Sequence, residues 1–161
     1  AQLLGLEGSE ELRSEGVMAL MASASDGNCT RIESLVSKGV NINTRDLEFQ
    51  NDSPLHYAAV EGQTEAIELM ISLGAEVNGL NKDLRTPLHY AAMEGHTQSC
   101  LKLLDLGADP EIQNDMGLTP KGEAEFFDFR EAAEAIQNHM IQHPSAPQPL
   151  SYPACGLKRQ S

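Results

Sequence analysis

The chain of 161 residues is long enough for one domain, or for one small domain with tails. Its 24 acidic and 11 basic residues leave a formal net charge of −13, which argues against binding to nucleic acid or to anionic membrane surfaces. A basic surface on another protein is the natural complement of this charge, although acidity also simply keeps a small protein soluble.

The cysteines, Cys29, Cys100 and Cys155, are an odd number at wide spacing, which favours a reducing compartment over a disulfide framework. No apolar run is long enough to cross a membrane, and no signal-peptide pattern opens the chain. The start at Ala1 rather than at Met indicates processing or an excerpt of a longer chain. We therefore expect an intracellular protein, in the cytoplasm or the nucleus.

Residues 1–14 form an acidic lead-in with leucines suited to packing on the helix that follows. From residue 15 to 44, apolar residues recur at helical spacing in two segments, which predicts two helices. Asp26-Gly27-Asn28 separates them, and Lys38-Gly39 closes the second. A cation stabilises the last turn, and glycine adopts the left-handed conformation beyond it.

Residues 45–79 and 80–112 repeat one plan. Pro54, Pro87 and Pro120 lie 33 residues apart, and the phrase reads Ser-Pro-Leu-His-Tyr-Ala-Ala from residue 53 and Thr-Pro-Leu-His-Tyr-Ala-Ala from residue 86. In both copies the proline starts a short helix, Glu-Gly breaks it, and a longer helix runs up to Leu-Gly-Ala. A fixed period of this length indicates stacked helical units that build an extended binding surface.

The fourth unit, residues 113–142, is a divergent copy. Phe126 and Phe129 keep apolar positions, and Asp128 stands where the other units have glycine. Polar residues, Glu123 among them, replace the inner phrase, as expected of a terminal repeat with one face uncovered.

Residues 143–161 are rich in proline, and we expect them to form a flexible tail. Leu150 and Tyr152 are candidates for a linear motif that contacts a partner, with a plain linker as the alternative. A second contact of this kind raises avidity through effective concentration.

Residues 15–142 resemble ankyrin repeats, most specifically in Thr-Pro-Leu-His-Tyr-Ala-Ala-Met-Glu-Gly-His from residue 86. The resemblance implies an all-α solenoid of four repeats, each a short β-hairpin finger followed by two antiparallel helices. It also implies that His56 and His89 are structural and hydrogen-bond the neighbouring finger.

Two features depart from the family pattern. Leu84 occupies a finger position where the family usually has glycine, and a left-handed backbone there costs roughly 1 kcal/mol or more, so we expect a remodelled turn. The second repeat has two extra residues, which predicts a longer finger with Leu47 and Phe49 near its tip.

The chain shows no nucleophile elbow, phosphate loop or zinc helix motif, so we predict no enzymatic activity and no cofactor. His139 and His143 have a spacing that can clamp a metal, but no third ligand matches it, and we expect a solvated helix end. Two of the phenylalanines at 126, 127 and 129 are expected in the core. For Phe127, at the position of Glu61 and Glu94, exposure to a partner or to the tail and simple packing stay open.

Ankyrin repeats most often bind on the concave face, which fingertips and first helices line. Carried onto this sequence, the resemblance gives Glu48, Phe49, Tyr57, Val60, Glu61, Arg85, Tyr90, Met93 and Glu94 as candidate protein-binding residues. Aromatic and Met side chains suit binding hot spots, and glutamates suit a ligand with Lys or Arg. The alternative for Tyr57 and Tyr90 is that they only stack between repeats.

We expect a protein–protein interaction module, an adaptor, scaffold or subunit of an intracellular assembly, that binds a basic or amphipathic segment. It is expected to be a monomer or a subunit of a hetero-complex, with no nucleic-acid or membrane partner. The alternative is a small inhibitor of a kinase or transcription factor, similar in architecture to the ankyrin-repeat cyclin-dependent-kinase inhibitors. A third class is a structural component whose tail is ordered only in a complex.

Overall fold

The computed structural model describes residues 2–144, and the side chains of residues 13–144, as eight helices in two layers. The helices are α1 (Gln2–Asp26), α2 (Cys29–Ser37), α3 (Pro54–Val60), α4 (Thr64–Ser72), α5 (Pro87–Met93), α6 (Thr97–Asp105), α7 (Pro120–Phe126) and α8 (Arg130–Gln142). The odd-numbered helices pack side by side in one layer and the even-numbered helices in the other. The predicted all-α repeat solenoid is confirmed. Helix α1 includes most of the expected lead-in, so residues 2–14 continue directly into the first repeat.

Local sequence determines where the short helices begin. Ser53 caps α3, because its hydroxyl accepts the His56 backbone N–H at 3.3 Å and His56 Nδ1 accepts the Ser53 N–H at 3.1 Å. Thr86 and His89 form the same reciprocal pair before α5. The histidine takes the role that Glu or Gln has in the usual capping box, and the proline after the cap lacks only an N–H that would have no helical partner.

The same two histidines join each repeat to the next finger. Because Nδ1 accepts a backbone N–H, Nε2 carries the proton and donates to a carbonyl: Arg85 O from His56 at 2.9 Å, and Leu118 O from His89 at 3.0 Å. Burial lowers the pKa of His56 to about 4 and also lowers the pKa of His89, so both rings are neutral at pH 7. The structural role expected for these histidines is confirmed.

The fingers are hydrogen-bonded turns rather than strand pairs. In the third repeat Asn81 N–H donates to Arg85 O, and Leu84 N–H donates to Asn81 O, both at 3.1 Å. Lys82 N–H donates to Gln50 O at 2.9 Å and joins the second and third tips, and a similar bond joins the third and fourth. A single backbone hydrogen bond between neighbouring fingers is too few to form a β-ladder. No strand therefore forms within residues 2–144, and the expected β-hairpins are present only as turns.

Leu84 has a left-handed backbone, with a φ of 59°. Asn51, at 61°, and Gly117, at 78°, take the same conformation at the equivalent place in the neighbouring fingers. The side chain of Asn81 holds the Leu84 turn, because its Oδ1 accepts the Arg85 N–H at 2.9 Å. The finger therefore keeps its shape with a residue that strains it by about 1 kcal/mol.

The second finger is two residues longer than the third, as predicted. Asp46 N–H donates to Asp52 O at 2.8 Å, whereas Asn81 in the third finger pairs with Arg85. Leu47 and Phe49 lie in the additional length and are exposed, so this finger presents apolar side chains to solvent.

A continuous apolar core fills the space between the two layers. Its large, fully buried side chains are Leu20, Ile32, Leu55, Ile67, Met70, Leu88, Leu103 and Ile136. Pairs of buried alanines in α3 and α5 allow the odd-numbered helices, which form the inner layer, to approach closely. None of the helices between residues 2 and 144 is both long enough and apolar enough to span a membrane.

Candidate protein-binding face

The inner face comprises the fingers, residues 46–52, 81–85 and 114–118, and the carboxyl ends of α3, α5 and α7. Because successive repeats make the same packing contacts, residues at equal positions form rows along the stack. One row is formed by the last residues of the three helices, and a second by the caps that follow. The rows are Val60, Met93, Phe126 and Glu61, Glu94, Phe127.

Four of the candidate residues are well exposed on the inner face. Glu48 and Phe49 lie on the second fingertip, and Glu61 and Glu94 lie in the cap row. The two candidates of the helix-end row, Val60 and Met93, are half-buried. These positions are accessible to a ligand, and their role in binding stays a prediction.

Tyr57 and Tyr90 use their hydroxyl groups to brace the fingers. Tyr57 Oη donates to Asp46, and Tyr90 Oη donates to Asp52 Oδ2 at 3.0 Å while it accepts Asn81 Nδ2 at 2.8 Å. Burial, together with the neighbouring aspartate, raises the pKa of both phenols above the ordinary value. The hydroxyl groups of these two candidates are thus already hydrogen-bonded, and their half-buried rings pack against the core, with the Tyr90 ring meeting His56 of the preceding repeat edge to face.

Arg85 is held in an ion pair with Glu123 of the next repeat. Arg85 Nε donates to Glu123 Oε1 at 2.6 Å and Nη2 to Oε2 at 3.4 Å. Burial alone lowers the pKa of Arg85, but the hydrogen bond and charge of Glu123 outweigh it and raise the pKa. Asn114 also donates to Glu123, which is fully buried. The expectation that Glu123 belongs to an uncovered polar face is wrong, because the carboxylate is enclosed by its donors.

Two successive interfaces between repeats have a side-chain contact at the same place in the repeat, but different residues form it. Between the second and third repeats, Asp52 at the end of the second finger accepts from Tyr90 of α5. Between the third and fourth, Arg85 at the end of the third finger donates to Glu123 of α7. Both members of the second pair lie 33 positions after those of the first, and an asparagine donates to the acid in each case. Glu123 therefore occupies the position that Tyr57 and Tyr90 have in the earlier repeats. This spacing of 33 residues is a sequence signal that predicts the inward position of Glu123, and motifs taken singly do not reveal it.

The cations beside the second finger are already bound to backbone carbonyls. Arg45 Nη1 donates to Asn51 O at 3.0 Å and to Leu80 O at 2.9 Å, and Lys82 Nζ donates to Phe49 O at 2.6 Å. Arg45 Nη2 also lies 3.7 Å from Glu76 Oε2, and neither Arg45 nor Lys82 pairs with Glu48, Glu61 or Glu94. The inner face therefore keeps a negative surface.

The three phenylalanines of the fourth repeat are all exposed, so the expectation that two of them lie in the core is wrong. Phe126 is 67% exposed, Phe127 43% and Phe129 39%. Ala124 of α7 and Ala132, Ala133 and Ile136 of α8 are buried in the core where the two helices meet. These side chains fill that part of the core, and the three phenyl rings lie outside it.

His139 and His143 lie together at the end of α8, with ring centroids 4.5 Å apart. His139 Nε2 lies 3.1 Å from Asp105 Oδ1. In the part of the chain that the structure describes, no three side chains of His, Cys, Asp or Glu come together as potential metal ligands.

Leu150 and Tyr152, the candidates for a contact by the tail, lie outside the described residues. Their role stays a prediction, and the inner face is described without them.

Comparison with known proteins identifies the repeats. The family model for ankyrin repeats, in three copies, matches residues 2–80 and 20–114. A putative ankyrin repeat protein FPV244 of fowlpox virus (strain NVSL) is 39% identical over 51 residues, which are 32% of this chain and 7% of that protein. Serine/threonine-protein kinase 12 of Arabidopsis thaliana is 34% identical over 141 residues, 88% of this chain and 23% of the kinase.

The chain thus spans less than a quarter of the length of either relative. The matches of the family model together extend from residue 2 to residue 114, well over half of the sequence. With the repeat period, the histidine links and the paired helices, this coverage shows that the chain belongs to the ankyrin-repeat family.

Proposed function

We propose that this chain is a non-enzymatic binding module, an adaptor, scaffold or subunit of a larger intracellular assembly. In this role it holds a basic or amphipathic segment of another protein on its inner face. Ankyrin repeats are protein–protein interaction modules in general, and the charge of the inner face supports this more specific assignment.

The observation that carries the proposal is the exposed acidic surface formed by Glu48, Glu61 and Glu94. None of the three has an ion-pair partner among the described residues, whereas Arg45 and Lys82 beside them are held by carbonyl oxygens. A ligand with Lys or Arg gains attraction along this surface and is steered toward it.

The rigidity of the inner face also supports a binding role. The tyrosine hydroxyls, the histidine links and the Arg85–Glu123 pair fix the fingers before any ligand arrives. A preorganised surface loses little conformational entropy on binding, so more of the contact energy appears as affinity.

The strongly perturbed titratable groups support a non-enzymatic role, because structural contacts engage them. His56 and His89 link repeats, Tyr57 and Tyr90 brace fingers, and burial in the core raises the pKa of Cys100 to about 12. The name of the Arabidopsis relative gives a kinase activity, but the region aligned with this chain makes up 23% of that protein.

The test is a pull-down from cell lysate at low and high salt, with mass spectrometry. The full chain is compared with Glu61→Gln/Glu94→Gln and with a matched outer-layer control, Glu33→Gln/Glu134→Gln, which removes the same charge from α2 and α8. We expect a salt-sensitive partner that the inner-face variant loses and the control retains. Equal retention by both variants would contradict the assignment to the inner face.

Titration of the identified partner then separates two roles. An adaptor or scaffold leaves the activity of its partner unchanged, whereas an inhibitor of a kinase or transcription factor lowers it in proportion to occupancy.

A further inference from the structure

An aromatic pair projects from the end of α7. Phe126 and Phe127 are 67% and 43% exposed, and their rings meet edge to face with centroids 5.1 Å apart and an interplanar angle of 78°. Exposed apolar side chains that occur singly need no explanation, but adjoining aromatic rings on a surface mark a contact site.

The pair lies on the inner face, in continuation of its two rows. Phe126 follows Val60 and Met93 as the last residue of its helix, and Phe127 follows Glu61 and Glu94 as the cap. Along the stack the cap row therefore changes from acidic to aromatic at the fourth repeat.

The neighbouring Phe129 is used by the stack itself. Its ring lies against Gly95, where an added Cβ would meet it at 2.4 Å, just as His96 lies against Gly62. The residue at this position of a repeat, His96 or Phe129, therefore packs on the glycine that follows the short helix of the preceding repeat. Phe126 and Phe127 have no such place in the stack, so among the three phenylalanines of the fourth repeat they are the two that remain available for a partner.

The surroundings of the pair are mixed in charge with an acidic excess. Lys121 pairs with Glu125 at 3.3 Å, and Arg130 lies 3.5 Å from Asp128. Both cations are thus matched by an acid of their own repeat, and Glu94 of the preceding repeat adds a charge that has no ion-pair partner among the described residues.

We propose that Phe126 and Phe127 anchor the bound segment. The occupant is a segment of another protein with a bulky apolar or aromatic residue at one end and Lys or Arg along the rest. The apolar residue packs on the two rings, and the basic residues lie along Glu94 and Glu61. The inference rests on the proposed function and adds to it a fixed anchor and the order of apolar and basic positions along the face.

The experiment is selection of a random peptide library displayed on phage against the full chain, followed by fluorescence anisotropy with the enriched peptides. The anchor variant is Phe126→Ala/Phe127→Ala. Ile141→Ala on α8 is the control, because its side chain is also exposed and apolar, at 66%. Circular dichroism confirms that each variant is folded.

We expect enriched peptides that combine a bulky apolar or aromatic residue at one end with Lys or Arg along the rest. Their affinity should fall about tenfold or more in the anchor variant and stay unchanged in the control. Glu61→Gln/Glu94→Gln should weaken the same peptides in a salt-dependent way.

Every other outcome overturns the anchor. Peptides that depend on the glutamates but not on the rings leave the proposed function standing and remove this inference. Peptides whose binding depends neither on the glutamates nor on the rings contradict the anchor and the proposed function. A library that yields no enriched peptide contradicts the anchor, and the pull-down then still tests the proposed function. If peptides are enriched only when the full chain carries Leu150→Ala/Tyr152→Ala, the tail of this chain competes with them, and the rings would be assigned to the tail. A dimer by ultracentrifugation that the anchor variant abolishes would assign them to a second copy.

Discussion

The second and third repeats meet through a hydrogen bond from an uncharged tyrosine to an aspartate, whereas the third and fourth meet through an ion pair. In the first case Tyr90 donates to Asp52, and in the second Arg85 donates to Glu123, at positions 33 residues farther along. The acid has moved from the end of the finger to the helix, and the donor from the helix to the end of the finger. A repeat protein thus preserves the place of a contact between neighbours while its chemistry changes.

The fourth repeat also lacks the histidine link. Gly122 stands where His56 and His89 stand in the earlier repeats. Because this histidine links a repeat to the finger after it, the attachment of the fourth repeat to the third still uses His89, together with Glu123, the bond between the finger backbones and the contact of His139 with Asp105.

Removal of Glu123 is expected to produce the largest effect. Glu123→Ala leaves the partly buried Arg85 with Asp83 alone, at 3.1 Å, and the loss of one member of a buried pair costs up to about 3 to 5 kcal/mol of the free energy of unfolding. Urea denaturation measures the change. The control is Glu125→Ala, because Glu125 forms an exposed pair with Lys121 and should change stability by less than about 0.5 kcal/mol. Equal effects of the two substitutions would contradict this account of the interface.

The double variant Arg85→Asp/Glu123→Tyr sharpens the comparison. It rebuilds the Asp52–Tyr90 contact at the second interface, where Asn114 is in place to donate as Asn81 does. We expect the double variant to be more stable than the sum of the two single changes predicts, by about 1 kcal/mol or more. Additive effects would show that the two contacts are not equivalent.

Acid is expected to weaken the histidine link by a smaller amount. Because the pKa of His56 is about 4 in the folded chain and 6.5 as an ordinary value, the unfolded chain binds a proton between these pH values that the folded chain does not. The stabilisation is complete above pH 6.5 and is lost as the pH falls toward 4, by up to about 3 kcal/mol. Ring chemical shifts of His56 in NMR give its titration directly. A midpoint near 6.5 in the folded protein would contradict this link.

The smallest effect is expected from the fingertips. Leu84→Gly relieves a left-handed leucine and should raise the free energy of unfolding by about 1 kcal/mol, and Gly117→Leu should lower it by a similar amount. No atom lies near an added Cβ at Gly117, so the second change acts through the backbone alone. Thermal denaturation compares the two, and shifts of the same sign would contradict the backbone explanation.

The regular parts of the fold could be predicted from sequence because their signals are local and periodic. The prolines that begin the short helices and the glycines that follow the helices depend on a few neighbouring residues, whereas the expectation of a remodelled turn at Leu84 was wrong, because Asn81 holds the left-handed conformation there. The longer second finger followed from counting residues between repeats.

The divergent repeat was harder to predict, because its side chains are explained by partners distant in sequence. Glu123 is polar and seemed suited to solvent, but its partner Arg85 lies 38 positions earlier. The exposure of Phe126 and Phe127 depends on which side chains fill the core where α7 and α8 meet, and sequence periodicity does not give this. On the inner face, the sequence indicated which glutamates are accessible but not that the hydroxyls of Tyr57 and Tyr90 are engaged.

The most direct test of the central claim is site-specific photo-crosslinking in lysate with the full chain. A benzophenone side chain replaces either Met93 on the inner face or Gln98 on α6 of the same repeat, and both changes leave every glutamate in place. The account predicts a protein crosslinked from position 93, less of it at high salt, and none from position 98. Crosslinking from position 98 alone, or equally from both, would contradict a binding role for the inner face.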